Sequence, residues 1–273
     1  MKSCFSTLGC PDWDVDQIIR CCAENEFEGV ELRGLEGEME LPRSPLLAPG
    51  KREAFAARFA DVGTKIAALG TSCCFAQVDR AKRRQQIDSC KFWIELAGDL
   101  GCPVVRVFGG RLPEGCELRD AAGYVAESLM ELADMAAEHQ TALALETHDE
   151  FITGEIVARV LEQAEHPAVG ALWDVNHPYR AGEPIADTAG ALGKRIIHVH
   201  MKDSKLGEEG KLEHCLLGEG DLPLREILQE LSKLGYQGFL SLEWEKKWHP
   251  EIAEPEVAFP HYARKLRELL AEL

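Results

Sequence analysis

Short apolar runs alternate with longer amphipathic segments along the whole chain. The runs are rich in Val, Ile and Leu, which is typical of strands, and the segments repeat apolar positions every three or four residues, which is typical of helices. We predict eight strands, at residues 2–9, 28–33, 64–71, 103–108, 141–146, 168–174, 195–202 and 237–243. We predict eight helices, at residues 14–26, 51–62, 79–100, 119–139, 153–165, 184–193, 222–234 and 255–271.

Unbroken alternation of strand and helix indicates a parallel sheet. Eight such units in a chain of 273 residues favour a closed barrel, which often uses about 250 residues. We therefore predict an α/β fold, a single (β/α)8 barrel that forms one domain over residues 1–273. A doubly wound open sheet is the alternative, but it usually carries a glycine-rich turn after the first strand, and residues 8–12 are Leu-Gly-Cys-Pro-Asp.

Composition limits which kinds of partner the protein is expected to bind and in which cellular compartment it is expected. The formal net charge of -17 disfavours a nucleic acid, because binding a phosphate backbone requires a basic surface. The ten cysteines include two adjacent pairs and no zinc-knuckle spacing, so we expect reduced thiols, most of them in the core. The first residues lack a signal-peptide core, and no apolar run approaches the roughly 18 residues of a membrane span. We expect a cytoplasmic protein that contacts no membrane.

Metal-capable side chains collect where four consecutive predicted strands end. These residues are Glu146, Asp174, His200 and Glu243. The carboxyl ends of barrel strands form one rim, so all four side chains are expected on one arc. Three carboxylates and an imidazole suit one divalent metal ion, namely Mn²⁺, Mg²⁺, Co²⁺ or Zn²⁺.

The seventh strand places His198, His200 and Lys202 on one side, because side chains alternate along a strand. Taken alone, His198 is more often a core histidine with a satisfied hydrogen bond than a metal ligand. The barrel separates the three by height: His198 lies deeper, His200 reaches the rim, and Lys202 stands above the metal, where a substrate oxygen would lie. Lys202 could instead pair only with Asp203.

Three further side chains are candidates for substrate binding. Arg33 and Arg106 end the second and fourth strands and could bind substrate oxygens or a phosphate, or form rim ion pairs with Glu31 or Asp149. Trp248 follows the eighth strand and could wall a sugar pocket or pack under the last helix.

At these residues the chain resembles the sugar phosphate isomerase/epimerase family, which has a xylose-isomerase-like TIM barrel. The likeness covers the Gly-Val-Glu-Leu-Arg segment at residues 29–33, the four strand ends, and the Leu-Gly-Glu-Gly-Asp segment at residues 217–221. The resemblance implies that Glu146, Asp174, His200 and Glu243 are the metal ligands. It also implies that His177 contacts the substrate and that Glu146 and Glu243 are the catalytic acid/base pair.

The implied reaction is proton transfer next to a carbonyl, through an enediolate stabilised by the metal. One carboxylate removes the proton and the other returns one. Ketose 3-epimerases of the family carry an Arg and a Glu where this chain has Leu206 and Ile152. The segment from His200 to Asp203 is more similar to the inosose branch, in which a Lys can touch substrate. The related endonuclease IV needs extra histidines on strands three and four, which are absent at residues 69–72 and 106–109.

Three hypotheses for function follow. The first is a metal-dependent isomerase or epimerase of a small sugar, polyol, inosose or keto-acid. The second is a dehydratase of the inosose dehydratase type that uses the same site, and the third is a non-catalytic barrel that serves as a subunit. Since these barrels are often homodimers, a homodimer is also an expectation.

Overall fold

Eight parallel strands close into a barrel in this computed structural model, which describes residues 1–273 apart from the side chain of Glu209. The barrel strands are β1 (Lys2–Ser6), β2 (Gly29–Leu32), β3 (Lys65–Cys74), β4 (Val104–Phe108), β5 (Ala142–Glu146), β6 (Val169–Asp174), β7 (Ile196–Met201) and β10 (Phe239–Leu242). Each strand pairs with its neighbour in chain order, and β10 closes the ring between β7 and β1. The predicted (β/α)8 barrel is confirmed.

Nine α-helices connect the strands or follow them in the described part of the chain. They are α1 (Val15–Asn25), α2 (Arg52–Ala60), α3 (Arg80–Leu100), α4 (Leu118–Glu138), α5 (Gly154–Gln163), α6 (Asn176–Arg180), α7 (Ile185–Leu192), α8 (Leu224–Lys233) and α9 (Pro255–Ala271). Short polar side chains begin several of them, since the first N–H groups of a helix lack partners within it. Asp14 caps α1, Asp79 caps α3 and Thr153 caps α5.

One helix and one hairpin were not predicted, and both lie at the rim. Helix α6 begins directly after β6, where Pro178 occupies the first turn, a position at which proline costs little. The segment between β7 and α8, predicted only as a long connection, contains an antiparallel hairpin of β8 (Asp203–Leu206) and β9 (Leu212–Cys215). Its strands are four residues long, too short for a clear alternating pattern.

Apolar residues fill two separate layers. The main core lies between the strands and the surrounding helices. A smaller cluster of Ala68, Val104, Ala144 and Leu172 is separate from it. Ala144 and Leu172 precede Glu146 and Asp174 by two residues and therefore share their face of the sheet. The barrel interior thus has an apolar floor beneath polar side chains at the carboxyl ends of the strands.

All ten cysteines are free thiols, and seven of them are buried. This agrees with the prediction of reduced thiols that lie mostly in the core. Burial raises the pKa of the Cys102 thiol to about 12, which keeps that thiol protonated and unreactive. Among the helices described, none combines the length and apolar character needed to cross a membrane.

The carboxylate of Asp203 organises the loop that follows the hairpin. It accepts backbone N–H bonds from Ser204, Gly218, Gly220 and Leu222, at 2.8 to 3.3 Å. A Cβ at Gly220 would collide with this carboxylate, so the close approach requires glycine. This network explains the Gly-Glu-Gly segment at residues 218–220 that the sequence singled out.

We expect Asp203→Ala to lower the free energy of unfolding by about 3 kcal/mol, because it leaves two buried and two part-buried N–H groups without an acceptor. Denaturant titration followed by circular dichroism measures the change. The matched control is Asp61→Ala at an exposed aspartate, which should stay within about 0.5 kcal/mol of the parent protein. An unfolding midpoint for Asp203→Ala equal to that of the control would disprove the anchoring role.

Candidate metal centre

Four side chains converge inside the rim of the barrel: Glu146 from β5, Asp174 from β6, His200 from β7 and Glu243 directly after β10. One ligand atom from each lies within 4.8 Å of the others. His200 is at the middle, with Nδ1 3.5 Å from Glu146 Oε1, 3.9 Å from Asp174 Oδ2 and 3.4 Å from Glu243 Oε1. The predicted juxtaposition follows from the strand order, since β5, β6, β7 and β10 are consecutive neighbours in the barrel.

A buried carboxylate on β2 orients the imidazole of His200. Glu31 lies across the barrel and accepts from His200 Nε2–H at 3.0 and 3.1 Å, and from His198 Nε2–H at 2.9 Å. An ionised carboxylate can only accept, so Nε2 of His200 carries a proton and Nδ1 keeps its lone pair toward the cluster when the ring is neutral. His198 thus lies one layer deeper, shares Glu31 with His200 and meets the His200 ring edge-on, with 5.8 Å between the ring centroids.

The two carboxylate oxygens of Asp174 have different partners, one at the start of α6 and one in the cluster. Oδ1 accepts the backbone N–H groups of Asn176, at 2.9 Å, and His177, at 3.3 Å, at the start of α6. Oδ2 points toward His200 and Lys202. Asp174 therefore both binds the start of α6 and faces the cluster.

Several polar atoms in the cluster are buried without a hydrogen-bond partner among the described residues. They are both carboxylate oxygens of Glu146 and Nδ1 of His200, while Oδ2 of Asp174 has the ammonium of Lys202 at 2.8 Å. Buried polar atoms without partners are costly, and ligand atoms of Glu146, Asp174, His200 and Glu243 lie within 4.8 Å of one another. Three carboxylates and a neutral imidazole nitrogen are a suitable donor set for a divalent cation, so the residues present fit a metal ion.

The side chains around the cluster favour the charged forms of Glu146, Glu243 and His200. Burial raises the pKa of Glu146, but Arg106 and then His200 outweigh it and lower that pKa to about 2. Burial likewise opposes ionisation of Glu243, yet His200 and Lys202 hold its pKa well below the usual range. The carboxylates in turn raise the pKa of His200 despite its burial. A region that holds a proton on a buried imidazole would also hold a divalent cation in the place of that proton.

Lys202 bonds to the cluster, so the alternative that it pairs only with Asp203 does not hold, and its substrate role stays a prediction. Its Nζ lies 2.8 Å from Asp174 Oδ2 and 2.5 Å from Glu243 Oε2. It also lies 2.8 Å from Glu245 Oε1. These three carboxylates outweigh the cost of burying an ammonium and raise the pKa of Lys202.

Arg33 and Arg106 lie side by side next to the cluster. A Cβ at Gly70 would lie 2.8 Å from Arg33 Cδ and 2.9 Å from Arg106 Nη2, so glycine makes room for both guanidinium groups. Arg33 bonds to Ser72, and Arg106 Nε lies 3.4 Å from Glu146 Oε2. The alternative, that these arginines form rim ion pairs with Glu31 or Asp149, does not hold, and their substrate role stays a prediction. Nη1 of each has no hydrogen-bond partner among the described residues.

His177 and Trp248 lie nearer to solvent. Nδ1–H of His177 donates to the carbonyl of Thr147 at 2.9 Å, which leaves Nε2 free. His177 also forms a group with Glu146 and His148 whose ligand atoms lie within 4.8 Å of one another. Trp248 follows β10 and is 54% exposed, so packing under the last helix does not describe it. A substrate role for either residue stays a prediction.

The sequence pattern of one family matches residues 19–271 of this chain, and it is described as the xylose isomerase-like TIM barrel. The chain belongs to this family. Among curated relatives, fructoselysine 3-epimerase of Shigella flexneri is 23% identical, over 100% of this chain and 99% of that protein. An inosose dehydratase of Geobacillus kaustophilus is 24% identical, over 71% of each chain.

Solved xylose isomerase-like structures have the same fold. The IolI protein, solved with a bound zinc atom, superposes with a TM-score of 0.84 at 20% identity, over 100% of this chain and 99% of that one.

Sequence reasoning missed two carboxylates of the site. Glu31 entered only as a rim ion-pair partner of Arg33, although it bonds both histidines of β7. Glu245 was not singled out from the sequence, although it contacts Lys202. An acidic residue inside the apolar Val-Glu-Leu run of residues 30–32 was the available signal for Glu31, because an acidic residue in a buried strand requires a partner.

Proposed function

We propose that this chain is a divalent-metal-dependent isomerase or epimerase of a small sugar, inosose or keto-acid. One observation carries the proposal. Glu146 on β5 and Glu243 after β10 come from opposite sides of β7, and their Oε1 atoms lie 3.5 and 3.4 Å from Nδ1 of His200. A substrate carbon next to a carbonyl, held at this point, would have one carboxylate on each side. The xylose isomerase-like relatives with epimerase activity support this assignment.

The proposed reaction is a proton transfer between the two glutamates. One glutamate, as the ionised carboxylate, removes the proton beside the carbonyl, and the other, as the carboxylic acid, delivers its own proton from the opposite face or to the neighbouring carbon. Each turnover therefore exchanges the protonation states of the two glutamates. A divalent cation held by Glu146, Asp174, His200 and Glu243 would supply positive charge opposite the negative charge that develops on the substrate oxygens. Of the four side chains, Glu243 is the most exposed, at 9%, so the substrate enters on its side.

The surrounding cations bind and orient the substrate. The unpartnered Nη1 groups of Arg33 and Arg106 are available to substrate oxygens or an anionic group, because buried guanidinium N–H groups require acceptors. Lys202 bonds to Glu243 and so restrains its carboxylate, and a substrate hydroxyl that replaced one of its three carboxylate partners would accept from it. His177 presents Nε2 from α6, and Trp248 offers an aromatic face at the entrance for the C–H surface of a sugar.

Proton exchange in D₂O tests the reaction class. We expect the protein, loaded with Mn²⁺ or Mg²⁺, to replace the proton beside the carbonyl with deuterium in at least one compound of a panel of ketoses, inososes and hydroxypyruvate. Proton NMR measures the loss of signal whichever carbon reacts. The control is the Glu146→Gln/Glu243→Gln double variant, and exchange at the parent rate by this variant would rule out the two-carboxylate reaction.

A dehydratase reaction on the same site is the second candidate. It is favoured by Lys202, whose ammonium lies 2.8 Å from Asp174 Oδ2 and could donate a proton to a departing hydroxyl, and by the inosose dehydratase relative. Product mass separates the candidates, since a dehydratase product is lighter by one water and an isomerase product is unchanged. A non-catalytic barrel subunit, the third hypothesis, would bind no stoichiometric metal and promote no exchange.

A further inference from the structure

A second group of metal-capable side chains lies at the rim, outside the four-residue cluster. It consists of His214, Glu245 and His249, and one ligand atom from each lies within 4.8 Å of the others. All three residues are half-buried, so an ion from solvent can reach them. The reaction proposed above assigns no role to either histidine.

Two separate segments of the chain bring this rim group together. His214 lies on β9 directly opposite Ser204 of β8, so both side chains project from the same face of the hairpin. Ser204 is fully buried against Asn176 and Arg180, which shows that this face is turned toward the protein. Glu245 and His249 come from the loop after β10, where the backbone N–H of His249 donates to the carbonyl of Glu245 at 2.9 Å.

The individual ligand atoms are already oriented. Nδ1–H of His249 donates to Glu251 Oε1 at 3.1 Å, which leaves Nε2 free, 4.0 Å from Glu245 Oε2. Glu245 uses its other oxygen to accept from Lys202, at 2.8 Å. The rings of His214 and His249 lie 4.6 Å apart between centroids. A carboxylate that fixes the tautomer of a histidine is the usual outer partner of a metal-bound imidazole.

We propose that His214, Glu245 and His249 form a second metal site, for a late first-row divalent cation such as Zn²⁺. Two imidazoles and one carboxylate are a common ligand set for zinc, with water completing the coordination, whereas Mg²⁺ and Ca²⁺ prefer oxygen ligands. Because Zn²⁺ binds nitrogen and oxygen at about 2.0–2.2 Å, two ligand atoms can be no more than roughly 4.3 Å apart. The 4.0 Å between His249 Nε2 and Glu245 Oε2 falls within this limit.

A metal ion here would link the hairpin to the loop after β10 across the mouth of the barrel. Its ligand Glu245 contacts Lys202, which in turn contacts Asp174 and Glu243 of the inner cluster. The second site would therefore restrain one wall of the entrance through which the substrate passes, without contributing an atom to the inner metal centre.

Zinc stoichiometry of the chelator-treated full chain tests this site. We expect the parent protein to bind two Zn²⁺ per chain by isothermal titration and elemental assay, and His214→Ala and His249→Ala to bind one each. His200→Ala should also bind one, but at the rim.

The Glu251→Ala variant keeps all three ligands and should bind the rim ion roughly 10–100-fold more weakly. His166→Ala, which removes an imidazole facing Asp134 elsewhere, should bind two.

Hydrogen exchange gives a second readout that does not depend on activity. Zn²⁺ added to His200→Ala should slow exchange of the hairpin amides at residues 203–215, and it should not do so when His249→Ala is added to the same chain. If His214→Ala and His249→Ala retain the parent zinc stoichiometry and the parent hairpin protection, the rim site is disproved. If zinc binding is lost only in His200→Ala, the rim site is rejected, and the proposal of the inner metal centre stands.

Discussion

Glu243→Gln is expected to lower turnover by about 10³-fold, in the middle of the range for loss of a general acid or base. The amide keeps the shape of the side chain and one oxygen near His200 but cannot take up a proton. Steady-state kinetics on the substrate found by deuterium exchange measures the loss, and Glu146→Gln should show a loss of similar size. Metal content measured on the same samples separates a lost proton acceptor from a lost ligand.

If the enzyme is an epimerase, the two variants should each lose proton exchange on a different epimer. Each glutamate would deprotonate one of the two epimers, so Glu243→Gln should still exchange the epimer that Glu146 deprotonates, and the reverse should hold for Glu146→Gln. The matched control is Glu95→Gln on the exposed face of α3, with parent kinetics expected. Full turnover by Glu243→Gln would reject the two-carboxylate mechanism.

His200→Ala is expected to abolish stoichiometric metal binding at the inner centre, with affinity at least about 100-fold lower than in the parent protein. The loss follows because Nδ1 of His200 is the nitrogen donor among three carboxylates. Glu31→Gln should weaken binding by roughly 10–100-fold, since the amide no longer fixes the ring through two charged hydrogen bonds. Isothermal titration with Mn²⁺ measures both.

His198→Ala is the matched control, because His198 shares Glu31 but lies one layer deeper. It should retain the metal, with affinity lowered about tenfold at most. Circular dichroism and a His200→Gln variant show whether any loss reflects unfolding. If the metal survives His200→Ala but not His198→Ala, the assignment of the two histidines is reversed.

The barrel was predictable because its signal is local and repeated. Each strand is a short apolar run, and several helices carry their own polar cap, as Asp14 and Thr153 do. Elements with weak local signals were missed. Helix α6 is one turn long and contains Pro178, and the hairpin strands are held by Asp203 and its loop rather than by a hydrophobic face.

The four inner ligands were predictable for a geometric reason. Barrel topology places the ends of consecutive strands together, so residues that end β5, β6, β7 and β10 must meet at one rim. Contacts across the barrel obey no such rule. Glu31 and His200 are 169 positions apart in the chain, and their strands are separated by β1 and β10, so only the closed ring brings them into contact.

By itself, the sequence determined the fold class, the order of the strands and the position of the ligand arc, because hydrophobic periodicity and strand ends are local properties. Only the tertiary structure decided how each side chain is used. It oriented the two histidines of β7 through Glu31, placed Lys202 among Asp174, Glu243 and Glu245, and brought His214 of the hairpin to His249 of a distant loop. These choices depend on where buried charges find their partners, and those partners come from segments far apart in the chain.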